Sequence, residues 1–343
     1  MKRSDLNGLG LMLLVLVSGA GIAIAQQTEV SWINPGGGSW STAADWSDGV
    51  VPNNGSGQTY GVTLPTLGSY YGVSLDMSPT VDSLTLQSNT ELVGYGSETF
   101  STGSLINGGL IYFSNSTLNV NGPVTNSGSL YDAVMNVTGT FSNAGGFAEI
   151  YGPFTAAHYV QTGNGSYTEI QGTMNVQDAV VDAGPFDLDH GSTLNGNLDM
   201  NGGAFGMNCE HFPSCPPTVL NGNFTSTASS LYSEGIDIIP GVVDQLVVSG
   251  DATLGGTLDL SFGGRVSGGE SFDIMTYLSE TGQFSTVDVS GLGFYQIATL
   301  DYGPTALDVV VVDLPTPEPG SMILMGTTMI ALAYGCRRKL AQN

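Results

Sequence analysis

The chain has 343 residues and a net charge of −24, because 30 acidic residues stand against six Lys and Arg residues. Such a surface repels phosphate backbones, which excludes nucleic-acid binding. It repels anionic lipids and anionic polysaccharides for the same reason. Apolar residues make up 41% of the chain and recur in short alternating runs between Gly, Ser, Thr and Asn, so we expect an all-β fold with many tight turns.

Residues 1–25 have the features of a secretory signal peptide. Lys2 and Arg3 form a short positive region, and an uncharged apolar run extends from Leu9 to Ile24. The run ends in the small-x-small sequence that signal peptidase accepts, so signal peptidase is an expected partner during export. The residues of the predicted cleavage site are Ala23, Ala25 and Gln26, with cleavage before the glutamine. A retained N-terminal membrane anchor is the alternative.

All three tryptophans lie in the next segment, residues 26–70, at Trp32, Trp40 and Trp46. Their spacing between Gly-rich turns is similar to the opening motif of many secreted repetitive β-proteins, where it precedes a parallel β-helix. The first coil of a solenoid exposes its apolar interior, so we expect the three rings to form an N-terminal cap. A platform that stacks against sugar rings is the alternative.

Residues 71–245 contain degenerate repeats. The segment from Ser116 aligns without gaps on the segment from Ala133, and the segment from Phe147 aligns on that from Tyr167, offsets of 17 and 20. A third pair, from Thr193 and Val219, has an offset of 26. Such periods with alternating apolar residues predict a right-handed parallel β-helix. A β-sandwich is the competing interpretation, because its strands also alternate with frequent turns.

A short loop containing Pro213 separates the copies of the third pair and is flanked by Cys209 and Cys215. In an oxidising compartment these cysteines are expected to form a local disulfide, so that the loop is a stapled insertion in one coil. A metal site that includes His211 lacks a fourth ligand and is disfavoured.

Residues 246–314 differ from the repeats. Leu246–Phe262 and Gly269–Val289 resemble the end of autotransporter-type passenger domains in the spacing of their glycines and apolar residues. The resemblance implies a short β-rich cap that closes the C-terminal end of the helix.

The C-terminal segment, residues 315–343, combines a Pro-rich start, an uncharged apolar stretch at 321–336 and a basic cluster. The apolar stretch is predicted to be a transmembrane helix, and the cations behind it would stay in the cytoplasm. The predicted sorting residues are Pro317, Glu318 and Pro319, and those of the basic cluster are Arg337, Arg338 and Lys339.

This three-part order resembles the PEP-CTERM sorting signal. The resemblance implies recognition by an exosortase, an integral-membrane protease of Gram-negative bacteria that make exopolysaccharide. It also implies a protein that is anchored in the inner membrane before its tail is processed, and is then secreted or held at the cell surface. A plain C-terminal anchor is the alternative.

A search for catalytic residues finds no specific signal. Without the signal peptide and the tail, one basic side chain, Arg265, remains against 28 acidic ones, a net charge near −27. Lyases on the β-helix fold need an Arg or Lys base beside acids, and hydrolases need paired carboxylates. The densest group of candidates is Asp178, Asp182, Asp187, Asp189 and His190. We interpret these as acids of a solvated outer face, and His158 as a packed or surface residue. The sequence predicts no catalytic residue, metal or cofactor.

The leading hypothesis is an exported structural or adhesive protein of the cell surface or exopolysaccharide matrix, with exopolysaccharide as its partner. A carbohydrate-active β-helix enzyme or binding module, with Asp187, Asp189 and the aromatic residues as its candidate site, is the alternative.

Overall fold

The computed structural model describes residues 27–207, 216–237, 242–315 and 328–330. The first three ranges are almost entirely β-structure, apart from one turn of 3-10 helix at Ala43–Asp45, and residues 328–330 are helical. Successive strands pair with strands one coil earlier and one coil later, and nearly all of these pairings are parallel. The fold is therefore the predicted parallel β-helix, and the β-sandwich interpretation is wrong.

The pairings arrange the strands into three faces that run along the helix. Face I contains β1 (Gln27–Ser31), β3 (Thr59–Leu64), β6 (Ser83–Leu86), β9 (Leu105–Asn107), β11 (Val124–Asn126), β13 (Thr140–Ala144), β16 (His158–Thr162), the second halves of β18 (Thr173–Val181) and β20 (Thr193–Met200), β23 (Phe224–Ser226), β27 (Asp251–Leu254) and β30 (Ser279–Gly282).

Face II contains β2 (Gly38–Ser39), β4 (Tyr71–Ser74), β7 (Thr90–Gly94), the first halves of β10 (Leu110–Val120) and β12 (Ser129–Val137), β14 (Phe147–Ile150), β17 (Tyr167–Ile170), β19 (Pro185–Leu188), β21 (Ala204–Gly206), β24 (Leu231–Asp237), β28 (Thr257–Gly263) and β31 (Thr286–Ser290).

Face III contains β5 (Thr80–Val81), β8 (Thr99–Thr102), the second halves of β10 and β12, β15 (Phe154–Thr155), the first halves of β18 and β20, β22 (Thr218–Asn221), β26 (Leu246–Val248), β29 (Ser271–Thr276), β33 (Ala306–Asp313) and β32 (Gln296–Tyr302). The short strand β25 (Val242–Val243) pairs antiparallel with the end of β24.

The register of the strands reproduces each repeat offset expected from the sequence. Leu118 pairs with Met135, Phe147 with Tyr167, and Leu194 with Leu220, which are offsets of 17, 20 and 26 residues. Coils stacked in this register put equivalent residues directly above one another, about 4.8 Å apart.

Alternate side chains of each strand turn inward and fill the helix. Large rings stack from coil to coil, for example Phe141 on Tyr159 with centroids 5.7 Å apart, and Phe205 on Tyr232 at 5.4 Å. All four of these side chains are fully buried. Burial of aromatic rings contributes strongly to stability because each ring removes a large apolar area from water.

A ladder of asparagine side chains also lies inside the helix, on face I. The Asn107 amide donates to Oδ1 of Asn126 at 2.8 Å, and the Asn126 amide donates to Oδ1 of Asn143 at 3.1 Å. The Asn143 amide in turn donates to the Thr168 hydroxyl at 2.8 Å. Polar groups are tolerated in this interior because each one satisfies its neighbour in the next coil.

The two ends of the helix differ. At the first coil, Trp32, Trp40 and Trp46 are buried and pack edge to face, with centroids 4.9 and 4.7 Å apart. At the last coil, β29 pairs antiparallel with β33, and β33 with β32, so the chain turns back on itself where the parallel stacking stops.

Several predictions concern residues outside the described ranges. They are the signal peptide with its cleavage site Ala23, Ala25 and Gln26, the disulfide between Cys209 and Cys215, the sorting residues Pro317, Glu318 and Pro319, and the basic cluster Arg337, Arg338 and Lys339. Of the predicted transmembrane helix, only residues 328–330 are described. Among the described ranges, no helix has the length and apolarity needed to cross a membrane.

Candidate functional site

A line of aromatic side chains crosses the outside of face II, and we call it the aromatic stripe. It consists of Tyr95, Tyr112, Tyr131, Phe147 and Tyr167, and consecutive ring centroids are 5.8, 6.1, 5.2 and 5.1 Å apart. Tyr95 is 66% exposed, and the other four rings are partly exposed. The stripe crosses five coils and, at about 4.8 Å per coil, is roughly 20 Å long.

The stripe follows from strand alternation and coil register together. In β10, Ile111 and Phe113 point into the interior, so Tyr112 between them points outward. Tyr112 pairs in register with Tyr131, so the two rings come from equivalent positions of adjacent coils.

Four carboxyl groups lie beside the last two rings of the stripe and in the coil that follows, and we call them the acidic cluster. Glu149, Glu169 and Asp187 occupy one register column of face II, and Asp189 follows two residues after Asp187. The Tyr167 hydroxyl donates to Oε2 of Glu169 at 2.9 Å, which joins the stripe to the cluster. Like charges stacked at coil spacing repel one another, so this column favours protonation or a positive ligand.

The two aspartates of the acidic cluster have raised pKa values. Burial raises the pKa of Asp187 to about 6, opposed by its hydrogen bond with Tyr167 and helped by the charge of Glu169. Burial also raises the pKa of Asp189 to about 7, and the charges of Glu169 and Asp187 act in the same direction. Oδ1 of Asp189 is buried without a hydrogen-bond partner among the described residues. The cluster therefore changes its charge near neutral pH.

Two exposed tyrosines flank the stripe and face carboxylates. Tyr70 is 57% exposed and Tyr151 is 47% exposed. Burial, followed by a hydrogen bond to Glu91, raises the pKa of Tyr70, and burial followed by a hydrogen bond to Glu149 raises that of Tyr151. Both hydroxyls therefore remain protonated. Face II thus offers rings, hydroxyl donors and carboxylate acceptors together.

The five predicted acidic-group residues do not form one site. Asp187 and Asp189 join the acidic cluster, whereas Asp178 lies on face I with its Oδ1 2.6 Å from Nδ1 of His158. Asp182 follows β18 and accepts a hydrogen bond from Asn201 at 3.1 Å. The outer-face interpretation holds for these four acids, which are exposed or half-buried.

His190, the fifth residue of that group, turns inward. Its side chain is fully buried, with Nδ1 3.2 Å from the Pro216 carbonyl oxygen and Nε2 2.9 Å from Oδ1 of Asp244. The expectation that it belongs to a solvated face is therefore wrong. The reason is its place in the turn after β19, where the chain bends around the coil edge.

The structure also contains an interior carboxyl group, Glu234 of β24, that the sequence pattern did not indicate. It is only 2% exposed, and the Tyr232 hydroxyl donates to its Oε2 at 2.7 Å. Burial raises the pKa of Glu234 well above its ordinary value, opposed by the Tyr232 hydrogen bond. This group therefore acts as a polar part of the core, held by the Tyr232 hydroxyl.

The tryptophans and Arg265 contribute nothing to face II. The indole groups of Trp40 and Trp46 donate to backbone carbonyls within the first coil, and all three tryptophan side chains are buried, which excludes the sugar-stacking alternative.

Arg265 lines a separate cavity of about 580 Å³ at the C-terminal end, with Tyr295 and Asp313 among its other lining residues. Within the described ranges, no group of three or more His, Cys, Asp or Glu side chains is placed to hold a metal ion.

By its fold, this chain is a parallel β-helix that carries the aromatic stripe and the acidic cluster on the outside of face II. The sequence of its C-terminal tail allows a more specific assignment. A comparison with protein families matches residues 315–339 to the PEP-CTERM protein-sorting motif. The chain is therefore an exported protein that an exosortase sorts at the membrane. The match covers the tail alone, and neither a curated protein nor a solved structure matches the chain.

Proposed function

We propose that this protein is a non-enzymatic structural and adhesive component of the cell surface or exopolysaccharide matrix of a Gram-negative bacterium. The observation that carries the proposal is the aromatic stripe, a continuous line of partly exposed rings on the outside of face II. Monomeric soluble proteins rarely leave such apolar lines uncovered unless something binds there.

The shape of the body suits this role. Twelve strands of face II stack along the helix, a length of roughly 50 Å at about 4.8 Å per coil. In the sequence, the sorting motif begins two residues after β33, so we expect the exosortase to act at the C-terminal end of the rod, while the stripe lies along its side.

The test is the location and intact mass of the protein from native cells. We expect a species that begins at Gln26, lacks Arg337–Lys339 and is found outside the cell. A matched variant with Pro317→Ala and Pro319→Ala should accumulate in the inner membrane. If the unaltered protein keeps its basic cluster and stays in the inner membrane, the matrix role is wrong.

A carbohydrate-active enzyme is the second candidate, and the raised pKa values of Asp187 and Asp189 favour it, because a protonated and an ionised carboxyl can act as acid and base. Incubation of the purified protein with a panel of polysaccharides separates the two functions. New reducing ends or unsaturated products that disappear in Asp187→Asn would establish the enzyme and reject the structural role.

A further inference from the structure

We propose that the aromatic stripe and the acidic cluster together bind a cationic glycan, an amino-sugar polymer whose amines are free and not acetylated. This inference rests on the proposed adhesive function and names its ligand. The bound chain lies along face II and follows the stripe, which crosses the coils diagonally.

The rings supply the surface for the sugars. The C–H faces of pyranose rings pack on aromatic rings, and the stripe presents five such rings at centroid separations between 5.1 and 6.1 Å. Adjacent coils are about 4.8 Å apart, a spacing similar to the length of one sugar in an extended β-linked chain. The stripe can therefore contact four or five consecutive sugars of one chain.

The charge of the protein selects a positive ligand. Face II carries Glu91 beside Tyr70, and Glu149, Glu169, Asp187 and Asp189 beyond the stripe. A negative field of this kind repels uronic-acid or sulfated chains and attracts ammonium groups. Tyrosine faces attract ammonium groups as well, through their quadrupoles.

A neutral glycan fits less well. It would use the rings, but the partly buried carboxyl groups next to them would lose water without gaining an ion pair. Asp189 shows the consequence, because its Oδ1 is buried with no hydrogen-bond partner among the described residues.

The probes are a glucosamine hexamer and its fully N-acetylated counterpart, titrated into the full mature protein by calorimetry at neutral pH, above the pKa of Asp187, where part of the sugar amines is still protonated. We expect the amine form to bind more tightly, and the difference to shrink at high salt because screening weakens exposed ion pairs. Tighter or equal binding of the acetylated form would overturn the charge argument and indicate a neutral glycan.

Paired variants test the site. Glu169→Gln with Asp187→Asn should weaken binding of the glucosamine hexamer about 5- to 30-fold. The matched control, Asp182→Asn with Asp199→Asn, removes the same charge from the side of face I and should leave binding unchanged. Equal losses in both pairs would show a nonspecific charge effect and overturn the proposed site.

The stripe is tested in the same way. Tyr112→Ser with Tyr131→Ser should weaken binding about 5-fold or more, whereas Tyr295→Ser at the C-terminal end should not. Far-UV circular dichroism confirms that each variant is folded. If neither hexamer binds while the protein is found in the matrix, this inference fails and the proposed function stands. Self-association that the stripe variants abolish would instead assign the stripe to a second copy of the chain and overturn the inference.

Discussion

The interior asparagine ladder gives the sharpest test of how the helix is held together. Asn126 makes three side-chain hydrogen bonds: it accepts from Asn107 at 2.8 Å and donates to Oδ1 of Asn143 at 3.1 Å and to the Phe147 carbonyl at 3.0 Å. Asn126→Leu keeps the branched shape of the side chain with a somewhat larger volume, and it removes all three. At least two polar partners are then left in the core, and each costs about 1–3 kcal/mol. We expect a loss of about 2–6 kcal/mol in the free energy of unfolding.

A second asparagine ladder on the outside provides the matched control. The Asn195 amide donates to Oδ1 of Asn175 at 2.7 Å, and Oδ1 of Asn195 accepts from Asn221 at 2.8 Å. Water can replace these partners, so Asn195→Leu should cost less than about 1 kcal/mol. Both variants are compared by urea denaturation followed by far-UV circular dichroism. Equal losses in the two variants, or a gain in Asn126→Leu, would refute the view that the ladder acts through buried hydrogen bonding.

Three further outcomes are expected. Because Glu234 binds its proton more tightly in the folded state, stability should fall as the pH rises above about 4.5. Glu234→Gln should remove part of this fall when melting temperatures are measured at a series of pH values. Burial raises the pKa of Asp189 to about 7, so ionisation of this carboxyl destabilises the fold progressively between about pH 4 and pH 7. In Asp189→Asn the melting temperature should fall less over this pH range, and an unchanged pH profile would contradict the raised pKa. Gly184 has a φ of 76°, and a Cβ there would collide with the Ser166 carbonyl of the coil below, whereas Gly145, with a φ of 86°, faces open space. In thermal unfolding, Gly184→Ala should therefore cost clearly more than the roughly 1 kcal/mol expected of Gly145→Ala.

The sequence was sufficient to predict the β-helix because its interior positions are mostly apolar. Leu118 and Met135 are apolar at equivalent places in their coils, and the structure pairs them. The interior favours apolar residues at alternate positions, with the buried asparagines among the exceptions, and this preference leaves a period that is visible without a structure.

The aromatic stripe could not be predicted in the same way, because outward positions accept polar and apolar residues alike and leave no regular pattern. Tyr131 pairs in register with Glu149, while the next ring of the stripe belongs to Phe147, two residues earlier. The stripe therefore crosses the coils diagonally and has no constant period. Two aromatic pairs at coil offsets could have indicated it: Tyr112 with Tyr131 at an offset of 19, and Phe147 with Tyr167 at an offset of 20.

The buried ionisable groups were missed for a different reason. Alternation along β24 places Tyr232, Glu234 and Ile236 on the same inward side, but a carboxyl at such a position is unusual. Only the contact with the Tyr232 hydroxyl explains how the interior accepts it.

The three-faced arrangement separates folding from recognition within each strand. In β12, Leu130 is buried and supports the stacking of coils, while the adjacent Tyr131 is partly exposed and belongs to the stripe. Substitutions at outward positions therefore leave the interior packing almost untouched, and conservative ones at inward positions leave the outer side chains in place. A lineage of such proteins can acquire new binding preferences one face at a time, at little cost to the stability of the rod that carries them.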